Sequence, residues 1–225
     1  VENDVVMNGN VILHINQEYM IGFVGNEFLL NEVYYGVYHG QASDNHPVTG
    51  VTFYGAIEYC DWLSAITGLE PFYNGNLDNN EFHNPYLSNG YRLPTSAEWE
   101  YADQYNDHRI YPWGDFGPLP EIVNAHQWYG GTTPVGSFPD GSGLLGIMDM
   151  AGNVWEYCND WSYDYTTDSV IDPIGPEFGT SKIYKGGSWL NTQGNYMYSC
   201  SFRVIGSPIS FADATHGFRI CKTIR

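Results

Sequence analysis

Arg92-Leu93-Pro94-Thr95-Ser96-Ala97-Glu98-Trp99-Glu100-Tyr101-Ala102 is the stretch that decides the fold. Thr95 followed three residues later by Glu98 is a capping box, directly after Pro94, so a helix starts there. Upstream, Thr52 opens a second helix running through Ile66. Ala56, Ile57, Cys60, Leu63 and Ile66 form its apolar stripe and Gly68 ends it. Residues 70–90 between the helices, rich in Asn, Gly, Pro and Tyr, read as a loop. Residues 1–45 carry the weakest pattern, with strand-like runs at Val11–Ile15 and Tyr34–Tyr38. From Pro112 to Ser188 the chain reads as turns and short strands, and Gly217–Thr223 as a closing strand. No repeat and no linker interrupts the 225 residues, so 1–225 is a single α+β domain.

Hydrophobic residues make up 43 % of the chain, enough for a substantial core. There are 19 Tyr, 11 Phe and 7 Trp, with 26 Gly and 12 Pro, a composition in which aromatic anchors hold irregular backbone. The net charge is −18. Such a field repels phosphate backbones, which excludes nucleic acid as a partner. The charge is uneven. Residues 1–180 contain two bases, Arg92 and Arg109, against 25 acids, whereas residues 181–225 contain six bases against Asp213 alone. No run of about 18 apolar residues exists to span a membrane. The chain starts at Val1 without an initiator Met or secretory signal, which reads as a processed start.

Cys60, Cys158, Cys200 and Cys221 form no C-x-x-C pair and read as free, buried thiols. Gly141-Ser142-Gly143-Leu144-Leu145-Gly146 spells a dinucleotide fingerprint, but Pro139-Asp140 stand where the buried strand should be, so it is a turn. Ser188, His216 and Asp213 contain the residue types of a hydrolytic triad, yet Gly186-Gly187-Ser188-Trp189-Leu190 is no nucleophile elbow.

The remaining motifs come as an ordered series. To 92–102 are added Pro112-Trp113-Gly114, Thr133-Pro134-Val135-Gly136, Asp149-Met150-Ala151-Gly152-Asn153-Val154-Trp155-Glu156-Tyr157, Gly186-Gly187-Ser188-Trp189 and Gly217-Phe218-Arg219. His46-Pro47-Val48 and Tyr59-Cys60-Asp61-Trp62-Leu63 extend the series upstream. This set closely resembles the sulfatase-modifying-factor family, whose founding members generate formylglycine. The resemblance implies a C-type-lectin-like fold of the formylglycine-generating-enzyme type: a mixed sheet, two helices and long irregular loops.

The resemblance also implies chemistry that this chain lacks. Formylglycine generation uses two copper-binding cysteines after the Gly-Gly-Ser-aromatic motif, because soft thiolates select Cu(I). Those positions fall here at Asn191 and Tyr196, so no copper is expected and no catalytic residue is assigned. A related branch makes sulfoxides with histidine-held iron, but no helix here presents paired histidines. A structural calcium site carries over: side chains of Asp149 and Glu156 with the carbonyls of Gly152 and Val154. Calcium takes 6–8 oxygens, which these donors and waters supply.

Residues 190–216 take the place of the catalytic loops. They are rich in Ser, Asn, Gly and aromatic residues, the composition of antibody paratopes. Their position before a Gly-Phe-Arg strand resembles the variable proteins of diversity-generating retroelements. Mutagenesis of Asn-type codons in those proteins never yields Lys, Gln, Glu, Met or Trp. In residues 190–216 only Gln193 and Met197 are of those types. The resemblance implies display residues among Asn191, Thr192, Asn195, Tyr196, Tyr198, Ser199, Ser201, Ile205, Ser207, Asp213 and His216. Trp189, Arg203, Pro208, Phe218 and Arg219 are then fixed scaffold. The expected function is a non-catalytic protein that presents this region to a macromolecular ligand at a bacterial surface or envelope, where a segment outside this chain could supply a lipid anchor. A catalytically dead accessory protein of an envelope assembly is the alternative. An oxidase with relocated chemistry ranks last.

Overall fold

The computed structural model describes residues 45–74, 84–207 and 213–224, and the backbone of four N-terminal strands. Those strands form two antiparallel hairpins, β1 (Val5–Met7) with β2 (Asn10–Leu13), and β3 (Ile21–Val24) with β4 (Glu27–Leu30). The strand expected at Val11–Ile15 coincides with β2 over its first three residues. The one expected at Tyr34–Tyr38 lies outside the described residues.

Helix α1 spans Phe53–Ile66, with the Thr52 hydroxyl accepting the Gly55 N–H at 3.1 Å. Its buried face carries Phe53, Ala56, Ile57 and Cys60, then turns onto Asp61 and Ser64. Ile66, expected in the stripe, is 58 % exposed and Leu63 is half-buried. The polar pair wins that face because it holds neighbouring backbone. Asp61 Oδ1 accepts the Tyr73 N–H at 2.9 Å, and Ser64 Oγ accepts the Tyr91 N–H at 2.7 Å. Helix α2 spans Ser96–Gln104 and begins with the expected capping box: Thr95 Oγ1 takes the Glu98 N–H and Glu98 takes the Thr95 N–H. Arg92, fully buried, closes the box from below with two bonds to the Glu98 carboxylate at 2.6 and 2.7 Å.

The central sheet has the order β7 (Val204–Gly206), β6 (Lys182–Lys185), β5 (Trp155–Trp161), β8 (His216–Gly217). The first two pairings are antiparallel and β5–β8 is parallel, so the sheet is mixed. Successive strand side chains point to opposite faces. Tyr157, Tyr184 and the Lys182 ammonium meet Phe53 of α1, whereas Cys158, Ile183 and the Lys185 ammonium meet Trp99 of α2. The two helices therefore cover opposite faces. The closing strand is shorter than expected. Only His216–Gly217 pair with β5, and the chain next makes a bridge between Cys221 and Arg92. Between the two, Arg219 turns aside to Glu156. The four cysteines are free, with Cys60, Cys158 and Cys200 buried. Gly141–Gly146 is a set of turns beginning in the short 3-10 helix Pro139–Gly141.

Candidate functional site: a loop on a pinned pedestal

The 190–207 segment leaves the sheet through Gly186-Gly187, and its conformation starts there. Gly187 has φ +76°, and a Cβ on it would lie 2.6 Å from the Tyr198 ring, so only glycine fits. Ser188 uses its N–H and hydroxyl on Asn191 Oδ1, at 2.7 and 2.9 Å. The Ser188 hydroxyl is thus turned to Asn191, which acts as a local cap. Trp189 is buried and donates its indole N–H to Ala214 O at 3.1 Å, tying both ends of the segment together.

Tyr198 corrects the display list. It is fully buried, its hydroxyl lies 2.8 Å from Asn191 O and 3.1 Å from Ser188 O, and it accepts the His126 N–H at 3.1 Å. His216 is a second correction. It is buried in β8, with Nδ1 2.9 Å from Asp213 Oδ1 and its ring edge-on to Tyr184. Burial works to raise the Asp213 carboxyl, but His216 and the Thr215 bonds outweigh it and hold the pKa at about 2. Neither Tyr198 nor His216 is exposed. Both are inward because a loop without regular hydrogen bonding needs buried polar anchors.

The rest of the list divides cleanly. Thr192, Asn195, Tyr196, Ser201, Ile205 and Asp213 are exposed, and Asn191, Ser199 and Ser207 are half-buried. Pro208 and Phe211 lie outside the described residues. Tyr196 is 55 % exposed and rests edge-on against Phe202, whose ring packs on Trp155 of β5. A second loop that sequence reasoning missed supports the first. Gln127 N–H donates to Trp189 O at 2.7 Å, and His126 Nε2 lies 3.1 Å from Asn195 Oδ1. His126 and Gln127 adopt φ +51° and +60° in succession, a conformation that non-glycine residues hold only when their surroundings enforce it. Trp128, 39 % exposed, packs its ring against that of His126, with centroids 5.0 Å apart. No sequence pattern marks positive φ at a His-Gln pair.

Asp149, Val154 and Glu156 line one cavity of about 260 Å³. Gly152 lies behind it with φ +75°, its N–H on Gly186 O, and a Cβ there would meet Asn124 O at 2.3 Å. Asn153 shows why the motif needs Asn. It sits at φ +59°, and its side-chain amide pairs with both backbone groups of Thr133 at 3.0 and 3.1 Å. Glu156 is buried and receives the Trp99 indole N–H at 2.7 Å and two guanidinium N–H groups of Arg219, one at 2.7 Å. Arg219 also reaches Asp149 O at 3.1 Å. Burial raises the Asp149 carboxyl, against the pull of the Gly136 N–H and Arg219. The donors, two carboxylates and backbone carbonyls, fit a hard cation in kind. Arg219 is the cation that the Glu156 carboxylate holds in this arrangement.

A family model described as the sulfatase-modifying factor enzyme 1-like domain matches residues 34–224. The chain belongs to this family. It is 36 % identical to the formylglycine-generating enzyme of Thermomonospora curvata over 197 residues, which is 78 % of this chain and 55 % of that protein. It is 34 % identical to serine/threonine-protein kinase Pkn1 of Chlamydia trachomatis over 187 residues, which is 80 % of this chain and 25 % of that protein. The chain thus spans between a quarter and about half of the length of these curated relatives. Among solved structures, Treponema denticola variable protein 1 shares the fold, with a TM-score of 0.66 at 23 % identity, over 98 % of this chain and 91 % of that one. The expected fold class and the sulfatase-modifying-factor resemblance hold, and the likeness to a variable protein holds for the fold.

The two residues onto which the resemblance lays the sulfatase-modifying-factor cysteine pair are Asn191, whose Oδ1 caps Ser188, and Tyr196, whose ring is exposed. Cys200, the one thiol of the segment, is fully buried, and burial pushes its pKa far up. It is a poor nucleophile and a poor metal ligand in that state.

Proposed function

We propose that this domain is a non-catalytic binding module that presents the 190–207 loop and Asp213 to a macromolecular ligand at a bacterial surface or envelope. One observation carries the reading. Where formylglycine generation needs two thiols, this chain has a capping amide, Asn191, and a ring, Tyr196, that is 55 % exposed. Thr192, Asn195, Tyr196, Ser201 and Ile205 then stand outward on a base pinned by Trp189, Tyr198 and the 126–128 loop. Rigid aromatic anchors among small polar groups make contact area at low entropic cost. The likeness to variable protein 1 supports the same use of the fold. Calcium enters this reading as a structural ion at Asp149, Gly152, Val154 and Glu156, where it competes with Arg219 for the Glu156 carboxylate.

The test is a pair of assays. Incubation with copper and a cysteine-containing sulfatase peptide is expected to leave the peptide unchanged, and conversion to the aldehyde would overturn the reading. Display of variants randomised at Thr192, Asn195, Tyr196, Ser201 and Ile205 is expected to yield folded binders to unrelated protein targets.

A further inference from the structure

A second recess lies apart from the 190–207 loop, and no residue of that loop lines it. It is a cleft of about 470 Å³ between α2 and residues 163–173. Four tyrosines wall it: Tyr101 and Tyr105 from α2 and its C-cap, with Tyr163 and Tyr165 opposite. Tyr101 and Tyr105 are 5.5 Å apart, centroid to centroid, and tilted, and Tyr163 and Tyr165 are 5.9 Å apart and edge to face. The ionisable members of the lining besides the tyrosines are Glu100, Asp168 and His108, with no Lys or Arg among them. The rim segment 164–172 adds Asp164 and Asp172 and no base.

The same rings already hold a guanidinium. Arg203 stacks 3.7 Å from the Tyr165 centroid and 5.0 Å from that of Tyr163, and donates to Tyr163 O. Arg203 does not line the cleft, so it reaches these rings from outside it. Glu100 is neutralised from the sheet side by Lys185 at 2.9 Å, which leaves the carboxylates of 164–172 to set the charge at the mouth. Ring faces attract cations through their quadrupole, most strongly out of water, and a carboxylate rim adds to that attraction. We infer that this cleft is a binding site for an organic cation of the arginine side-chain type, presented by a basic peptide segment. The site is independent of the proposed display surface and stands or falls separately.

The probe is N-acetyl-arginine amide, with the uncharged isostere N-acetyl-citrulline amide as control, titrated into ¹⁵N-labelled protein at constant ionic strength. Saturable amide shifts confined to residues 97–108 and 163–173 are expected with the arginine probe. Citrulline is expected to bind about two- to fivefold more weakly. Tyr101→Ala and Asp168→Asn are each expected to weaken the arginine probe by a similar factor. Asp168 is exposed on the rim, so its variant keeps the fold even where loss of Tyr101 does not. Equal affinity for citrulline, shifts spread over the acidic surface, or an Asp168→Asn variant that binds unchanged would each overturn the proposal.

Discussion

Half-buried Arg219 and buried Glu156 form a charge pair that joins the closing segment of the chain to the central strand β5, with Arg219 Nη2 2.7 Å from Glu156 Oε1. Glu156 is nearly solvent-free, so removal of its partner leaves an uncompensated charge. Arg219→Met is expected to cost about 3–5 kcal/mol of stability in chemical denaturation. A loss under about 1 kcal/mol would mean that another cation serves Glu156.

Calcium at the same donors makes a separate prediction. Addition of millimolar calcium is expected to raise the melting temperature, since a ligand of the native state alone stabilises by mass action. Glu156→Gln should remove that rise. A wild-type melting temperature indifferent to calcium would exclude the ion from this site.

Tyr198 and Tyr196, two residues apart, are predicted to behave oppositely. Tyr198→Phe removes a hydroxyl that serves His126 N–H and the carbonyls of Ser188 or Asn191, and is expected to cost about 1–3 kcal/mol. Tyr196→Ala is expected to change stability by only about 0.5 kcal/mol while it removes ligand affinity. Thermal melts of the two variants side by side separate pedestal from display surface.

Asp103 is fully buried, and desolvation pushes its pKa up to about 8, with the Cys200 thiol, Lys185 and Arg219 pulling part of the way back. Between about pH 4 and pH 8 the folded state therefore keeps a proton that the unfolded state has released. Stability from this residue falls as pH rises through that window. Asp103→Asn should abolish that slope and gain on the wild type on the order of 1.4 kcal/mol per pH unit. Urea denaturation at pH 5 and pH 8 reads the difference. Parallel curves for the two proteins would mean that Asp103 is ionised in the fold.

The parts of this molecule that were legible in sequence are those with local causes. Thr95 and Glu98 announce α2 because both halves of a capping box lie within four residues. Thr52 and Gly68 bracket α1 for similar reasons. The apolar stripe of α1 misled at Ile66, because Asp61 and Ser64 take the buried face to hold residues 73 and 91, contacts that no local pattern encodes. At the site, the motif series located the loop and the missing thiols. It could not separate Tyr198 from Tyr196, since burial there depends on His126, 72 residues away. The tyrosine cleft was invisible for the same reason: its two walls come from segments about 60 residues apart.

The central claim is that residues 190–216 are a diversified binding face on a constant scaffold. Deep sequencing of their codons across sister isolates tests it most directly. The account predicts substitutions concentrated at Thr192, Asn195, Tyr196, Ser201, Ile205 and Asp213, with Trp189, Tyr198, His216 and residues 92–189 constant. An invariant 190–216 would contradict it and point instead to an accessory protein with one fixed partner.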